Sequence, residues 1–140
     1  MSARPREFLD TNILVYAFSV DPKSAVAEAA LARGCVAGLQ GLNEFANVAR
    51  RKLKMTWLET RQALTAIRAL CPIVAPLDIE THEAALGLAE RLSFSPFDAL
   101  MVAAALRAGC GVFWSEDLQN EMMVDGTLRI RNPFAGGMTF

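Results

Sequence analysis

The chain has 140 residues, is 53% apolar and 21% charged, and carries a formal net charge of -1 at pH 7. Such a length and composition exclude a disordered chain and describe one globular domain, residues 1–140, with room for a sizeable core. The near-neutral balance excludes a protein that coats nucleic acid through bulk positive charge, but not an enzyme touching a few phosphates through a local basic cluster.

Glu7 to Val15 reads as a buried strand turning into a short helix, with the polar Asp10-Thr11-Asn12 at the junction. Asp21-Pro22 opens a helix, since proline suits a first helical position, and Gly34 stops it. Cys35-Val36-Ala37 is a short strand candidate in a glycine-rich stretch. Leu42, Phe45, Ala46, Ala49 and Leu53 then follow helical spacing, which places Glu44 in a first helical turn. A further helix runs from about Leu58 to Leu70, and Ile73-Val74-Ala75 is a third strand. Asp78 caps a helix striped by Ala85, Leu88, Ala89 and Leu92. Ser95-Pro96 starts the next helix, apolar on nearly every side from Ala99 to Leu106, and a helix of that kind is buried. Val112-Phe113-Trp114 and Leu128-Arg129-Ile130 are the fourth and fifth strands.

Strands alternating with helices imply an α/β protein with a mainly parallel sheet, helices on both faces, and ligands outside the carboxyl ends of the strands. The mean hydropathy of +0.26 fits a deeply buried sheet or apolar surface kept for a partner. Cys35, Cys71 and Cys110 are odd in number and widely spaced, as expected of reduced, buried thiols. The N-terminus shows no secretion signal, and no apolar stretch is long enough to span a bilayer. A cytoplasmic protein without membrane contact is expected.

Four segments each deliver a carboxylate close to an apolar run: Phe8-Leu9-Asp10, Leu42-Asn43-Glu44, Pro96-Phe97-Asp98 and Trp114-Ser115-Glu116-Asp117. Each acid also has a purely structural explanation. Asp10 and Asp98 stand where helix caps stand, Ser95 and Asp98 forming an S-x-x-D pattern, and a helix start favours a charge such as Glu44. Taken together, the placements point elsewhere. Asp10 and Asp117 follow strands closely, and Glu44 falls opposite the apolar stripe of its helix. Asp98 heads the most apolar helix, where a carboxylate needs a partner. Gathered carboxylates repel unless a cation resolves the conflict, and Mg²⁺ or Mn²⁺ does so with oxygen ligands. Metal held this way suggests phosphate chemistry.

The motifs also resemble those of a known family. Phe8 to Tyr16, Leu42 to Val48, Phe97 to Ala105 and Ser115-Glu116-Asp117 are similar, in order and spacing, to the four acidic motifs of PIN-domain ribonucleases. Among these, the chain is most similar to VapC-type toxins of toxin–antitoxin pairs. The resemblance implies a three-layer α/β/α fold with about five strands and metal-dependent endoribonuclease activity. It carries metal and catalytic roles to Asp10, Glu44, Asp98 and Asp117, with Thr11, Asn12 and Ser115 as supporting polar groups. It also implies a homodimer and a small antitoxin partner that lays an apolar helix in a groove. Glu116 competes with Asp117 for the fourth position; motif spacing favours Asp117 and leaves Glu116 an exposed neighbour.

With metal making the nucleophile, no His or Cys base is needed, and the sole histidine, His82, reads as a surface residue remote from the acids. Arg50, Arg51, Lys52 and Lys54 form the densest basic run and are candidate contacts for RNA, single-stranded loops being the accessible form. They also sit at a helix C-terminus, where cations are favoured without any ligand. Two other readings stay open: a non-catalytic PIN-like binding module, and another Mg²⁺-dependent phosphotransfer enzyme. The second is disfavoured by Asn12, which stands where a small phosphatase would carry a second Asp.

Overall fold

The computed structural model describes residues 4–136; Met1-Ser2-Ala3, part of the N-terminal stretch considered for secretion, lies outside them. In chain order the elements are β1 (Arg6–Leu9), α1 (Thr11–Ala17), α2 (Ser24–Leu31), β2 (Val36–Gly38), α3 (Leu39–Arg51) and α4 (Trp57–Leu70). They continue with β3 (Val74–Ala75), α5 (Ile79–Leu92), α6 (Pro96–Arg107), β4 (Cys110–Trp114), β5 (Met123–Val124) and β6 (Leu128–Arg131). The sheet has six strands in the order β3-β2-β1-β4-β6-β5, all parallel except β5. This is the expected α/β/α sandwich, with one short antiparallel strand beyond the five expected.

The strand period of two divides the core between the faces. Phe8 and Phe113 point to the α5/α6 side, where they stack with ring centroids 5.3 Å apart and join Leu88, Met101 and Val102. Leu9, Ala37 and Trp114 point to the other side, among Ile13, Leu14, Phe45 and Ile67 of α1, α3 and α4. Helix α6 is buried along Ala99 and Met101–Ala105, as its all-round apolarity requires.

Chain direction reverses around β1. From β1 the chain steps through β2 to β3 with α1–α4 on one face, then returns by α5 and α6 to β4 on the other side of β1. Strands β1 and β4 therefore flank the switch point of the sheet, and their carboxyl ends open into its ligand crevice.

Two local readings need correction. Helix α2 begins at Ser24 rather than at Asp21-Pro22. Asp21 instead forms a turn, its carboxylate accepting from the Lys23 N–H at 2.8 Å. Helix α3 begins at Leu39, directly after β2, so Glu44 stands in its second turn and not its first. The glycine-rich β2 is short but fully buried between β1 and β3. Gly38 is there for space, since a Cβ would come within 2.8 Å of the Phe8 ring. Cys35, Cys71 and Cys110 are buried free thiols, pushed up to about 12, 11 and 11 mainly by desolvation. Among the described residues no helix is long and apolar enough to cross a membrane.

Candidate active site

Leu9 pairs with Trp114 at the ends of β1 and β4, and both chains leave the sheet there with polar residues. Asp10 follows β1. It is 8% exposed, and as N-cap of α1 its carboxylate accepts from the Thr11 N–H at 2.8 Å. Ser115 follows β4 and is fully buried; its hydroxyl donates to Asp10 Oδ2 at 2.9 Å. The same hydroxyl oxygen accepts from the backbone N–H groups of Asp117 and Leu118, at 3.2 and 3.3 Å. One hydroxyl thus joins the first and last acidic segments.

Asp117 is aimed by Asn12, whose Nδ2 donates to Oδ2 at 2.6 Å. Asp98 stands in the first turn of α6, where its N–H donates to the Ser95 hydroxyl at 3.2 Å. Its carboxylate is left free of that cap, and among the described residues no Lys or Arg pairs with Asp10 or Asp98. Glu44 enters from α3. Thr11 Oγ1 and Gln40 Nε2 each donate to it at 3.0 Å, so Thr11 links the second acidic segment to the first.

The charges interact. Burial pushes the Asp10 carboxyl up to about 6, and the negative charges of Asp98 and Asp117 add to the rise against the Ser115 and Thr11 hydrogen bonds. Asp117 is raised as well, first by partial burial and then by Glu116 and Asp98. Asp10, Asp98 and Asp117 therefore form one electrostatic group, and Glu44 is tied to it through Thr11. Among the described residues, no three Asp, Glu, His or Cys side chains stand close enough to hold a metal ion together. The donor chemistry nonetheless fits a hard cation: every candidate ligand atom is a carboxylate oxygen, and the Asp10 and Asp98 charges lack a basic partner.

Two residues escaped the sequence reading. Lys23, just before α2, donates to Glu116 Oε2, and Tyr16 donates to the other oxygen of the same carboxylate, both at 2.5 Å. Glu116 is thus a half-buried member of an ion pair rather than an exposed neighbour, and a basic residue does reach the rim of the pocket. No local signal could have joined Lys23 to Glu116, since they lie 93 positions apart. His82 is exposed on α5, as expected of a surface residue, and it lines a groove with Leu86, Pro96 and Phe97.

Carboxylates at the switch point of an open α/β sheet stand where such sheets bind their ligands. The chain belongs to the PIN domain family, whose sequence profile matches residues 8–121. No curated protein sequence matches it. Its fold is similar to that of a toxin–antitoxin complex from Klebsiella pneumoniae, with TM-score 0.71 and 17% identity over 91% of this chain and 98% of that one. It is also similar to VapC20 of Mycobacterium tuberculosis, described as a sarcin–ricin loop cleaving toxin. The TM-score there is 0.62, with 18% identity over 79% and 91% of the two chains. A third likeness is to VapBC2 of Rickettsia felis bound to a fragment of promoter DNA, with TM-score 0.64 and 16% identity over 90% and 97%.

Proposed function

We propose that the protein is a metal-dependent endoribonuclease and the toxin half of a toxin–antitoxin pair in the cytoplasm. The observation that carries this reading is the buried Asp10 carboxylate, coupled to Asp98 and Asp117 at the β1/β4 switch point of a PIN-family chain. The similar folds support the biological class: one is a toxin–antitoxin complex, one a sarcin–ricin loop cleaving toxin, and one VapBC2 on promoter DNA.

Mg²⁺, or Mn²⁺ in its place, would be held by Asp10 and Asp98 with Glu44 and Asp117, and would supply Lewis acidity and an activated water. The chain's own residues prepare that role. Ser115 and the Thr11 N–H keep Asp10 ionisable inside an apolar core. Asn12 orients Asp117, while Thr11 and Gln40 orient Glu44. Phe97, 67% exposed beside Asp98, joins a groove with Gln40 and Glu44 to the one that contains His82. That apolar surface at the mouth of an acidic pocket suits an antitoxin helix carrying a basic side chain. The toxin is proposed to be a homodimer, which light scattering coupled to size exclusion tests directly.

The central experiment incubates clean protein with single-stranded and hairpin RNA in Mg²⁺, Mn²⁺ or EDTA. Cleavage is expected with either ion and not with EDTA, and it is expected to vanish in Asp10→Asn and Asp98→Asn. An Asp98→Asn protein with full activity would overturn the mechanism. The separation of the carboxylates favours one rival, a PIN-like module that binds without cutting. RNA bound but left intact in every metal tested would support it.

A further inference from the structure

Helix α3 carries Glu44 into the acidic site and ends, two turns later, in the basic run. On a helix, positions 44, 47, 48 and 51 share one face, and Glu44 and Arg51 stand roughly 10 Å apart along the axis. Asn47, Val48, Arg51 and Lys52 line a groove of about 360 Å³ on that side. From Phe45 to Leu58 the chain holds the four cations Arg50, Arg51, Lys52 and Lys54 and no acid, in a protein of net charge -1. Among the described residues none of these four forms an ion pair.

Next to this run stands Trp57, the first residue of α4 and 62% exposed. Its ring is fixed from one side. The Arg50 guanidinium lies over it, 4.4 Å from the centroid, and is itself anchored by donating to the Met55 carbonyl at 2.6 Å. A capping box between Thr56 and Glu59 holds the helix start beneath the ring. Arg50 therefore braces the indole, while Arg51, Lys52 and Lys54 of the basic run are exposed. An exposed indole held in place beside a basic run has the composition of a stacking platform for a base.

We propose that Trp57 and the groove from Asn47 to Lys52 form a subsite for one unpaired nucleotide of the RNA, its base stacked on the open face of Trp57 and its flanking phosphates on Arg51 and Lys52. This inference rests on the ribonuclease reading and adds to it where the substrate strand runs: from the acidic pocket along α3. Stacking accepts any base, so the subsite selects for single-stranded character more than for sequence. Charge favours nucleic acid over an apolar protein segment as the occupant, because Arg51 and Lys52 in the groove are exposed and, among the described residues, form no ion pair.

The two tryptophans make the test direct. Trp114 is 4% exposed and Trp57 is open, so added ligand that stacks will quench mainly Trp57. The protein is the Asp98→Asn form, which leaves RNA uncut, and the probe is a short unstructured oligouridylate. Quenching is expected on binding and is expected to be lost in Trp57→Phe. That substitution keeps an aromatic ring, so its affinity should fall little, whereas Trp57→Ala should weaken binding roughly 5- to 150-fold. Neutralising Arg51 and Lys52 to Gln should lower the salt slope of binding by about 1.4. Unchanged affinity in Trp57→Ala, or binding without quenching, overturns the subsite. So does a Trp57→Ala protein that keeps its RNA affinity and loses its antitoxin. If the wild-type protein cuts no RNA while the Trp57 quench persists, the catalytic reading fails and the subsite stands.

Discussion

The Ser115 hydroxyl donates to Asp10 Oδ2 while accepting two backbone N–H groups, so a single buried atom fixes the spacing between the ends of β1 and β4. Replacing Ser115 by Ala leaves two N–H groups without their acceptor and removes one donor from a buried carboxylate. Each orphaned group costs about 1–3 kcal/mol, so a clear drop in melting temperature is expected. The Asp10 carboxyl should also rise further above its present value of about 6, visible as a higher midpoint when the metal-free protein is titrated. An unshifted midpoint would show that Ser115 does not hold the Asp10 charge.

Asp10 itself makes stability depend on pH. Its carboxyl is raised from 3.8 to about 6 in the folded chain, chiefly by desolvation. Between those values the folded state binds more proton than the unfolded one, so stability falls as pH rises through this window and levels off above about 6. A shift of that size corresponds to about 3 kcal/mol as an upper figure. Asp10→Asn cannot ionise, and in metal-free buffer it is expected to melt no lower than wild type at pH 7 and to lose the slope between pH 4 and 6. Guanidinium melts across pH would show a slope of the opposite sign if Asp10 were stabilised by its charge.

The Lys23 charge counts against the raised Asp117 carboxyl, and Lys23 is held there by Glu116. Its removal should make the pocket more negative. Lys23→Gln is expected to bind Mn²⁺ about 1.5- to 5-fold more tightly, the range for exposed charge pairs, and to push Asp117 up further. Calorimetric titration reads the affinity. Equal or weaker Mn²⁺ binding would mean that the Lys23 charge is spent entirely on Glu116.

The parts of the fold legible in the sequence are those with local causes. Ser95, Pro96 and the apolar run after Asp98 supply a cap, a first-turn proline and a buried face within a dozen residues, and α6 forms where they place it. Asp10 and Ser115 were legible because each directly follows a strand. The start of α3 was not, since Gly38 and Gly41 flank Leu39-Gln40 and glycine is a poor helix former. Strand β5 did have a signal. Asp125-Gly126, with φ of 49° and 71°, is a tight-turn dipeptide between Val124 and its partner Leu128. The bracing of Trp57 by Arg50 and the pairing of Lys23 with Glu116 depend on side chains meeting in three dimensions, which spacing does not encode.

Thr11 offers the sharpest test of whether Glu44 works inside the site. Its backbone N–H donates to Asp10 Oδ1 and its hydroxyl donates to Glu44 Oε1, so Thr11→Val removes the second bond and keeps the first. The hydroxyl is buried, and the change is expected to lower cleavage while costing only about 1 kcal/mol of stability. If the hydroxyl acts by positioning Glu44, the effect should disappear once Glu44 is gone: Thr11→Val in a Glu44→Ala background should be no slower than Glu44→Ala alone. A double-mutant cycle on the cleavage rate then gives a coupling of about 0.5–3 kcal/mol. Strict additivity would separate the two residues. Glu44 would then belong to α3 and its groove, and Thr11 would serve Asp10 alone.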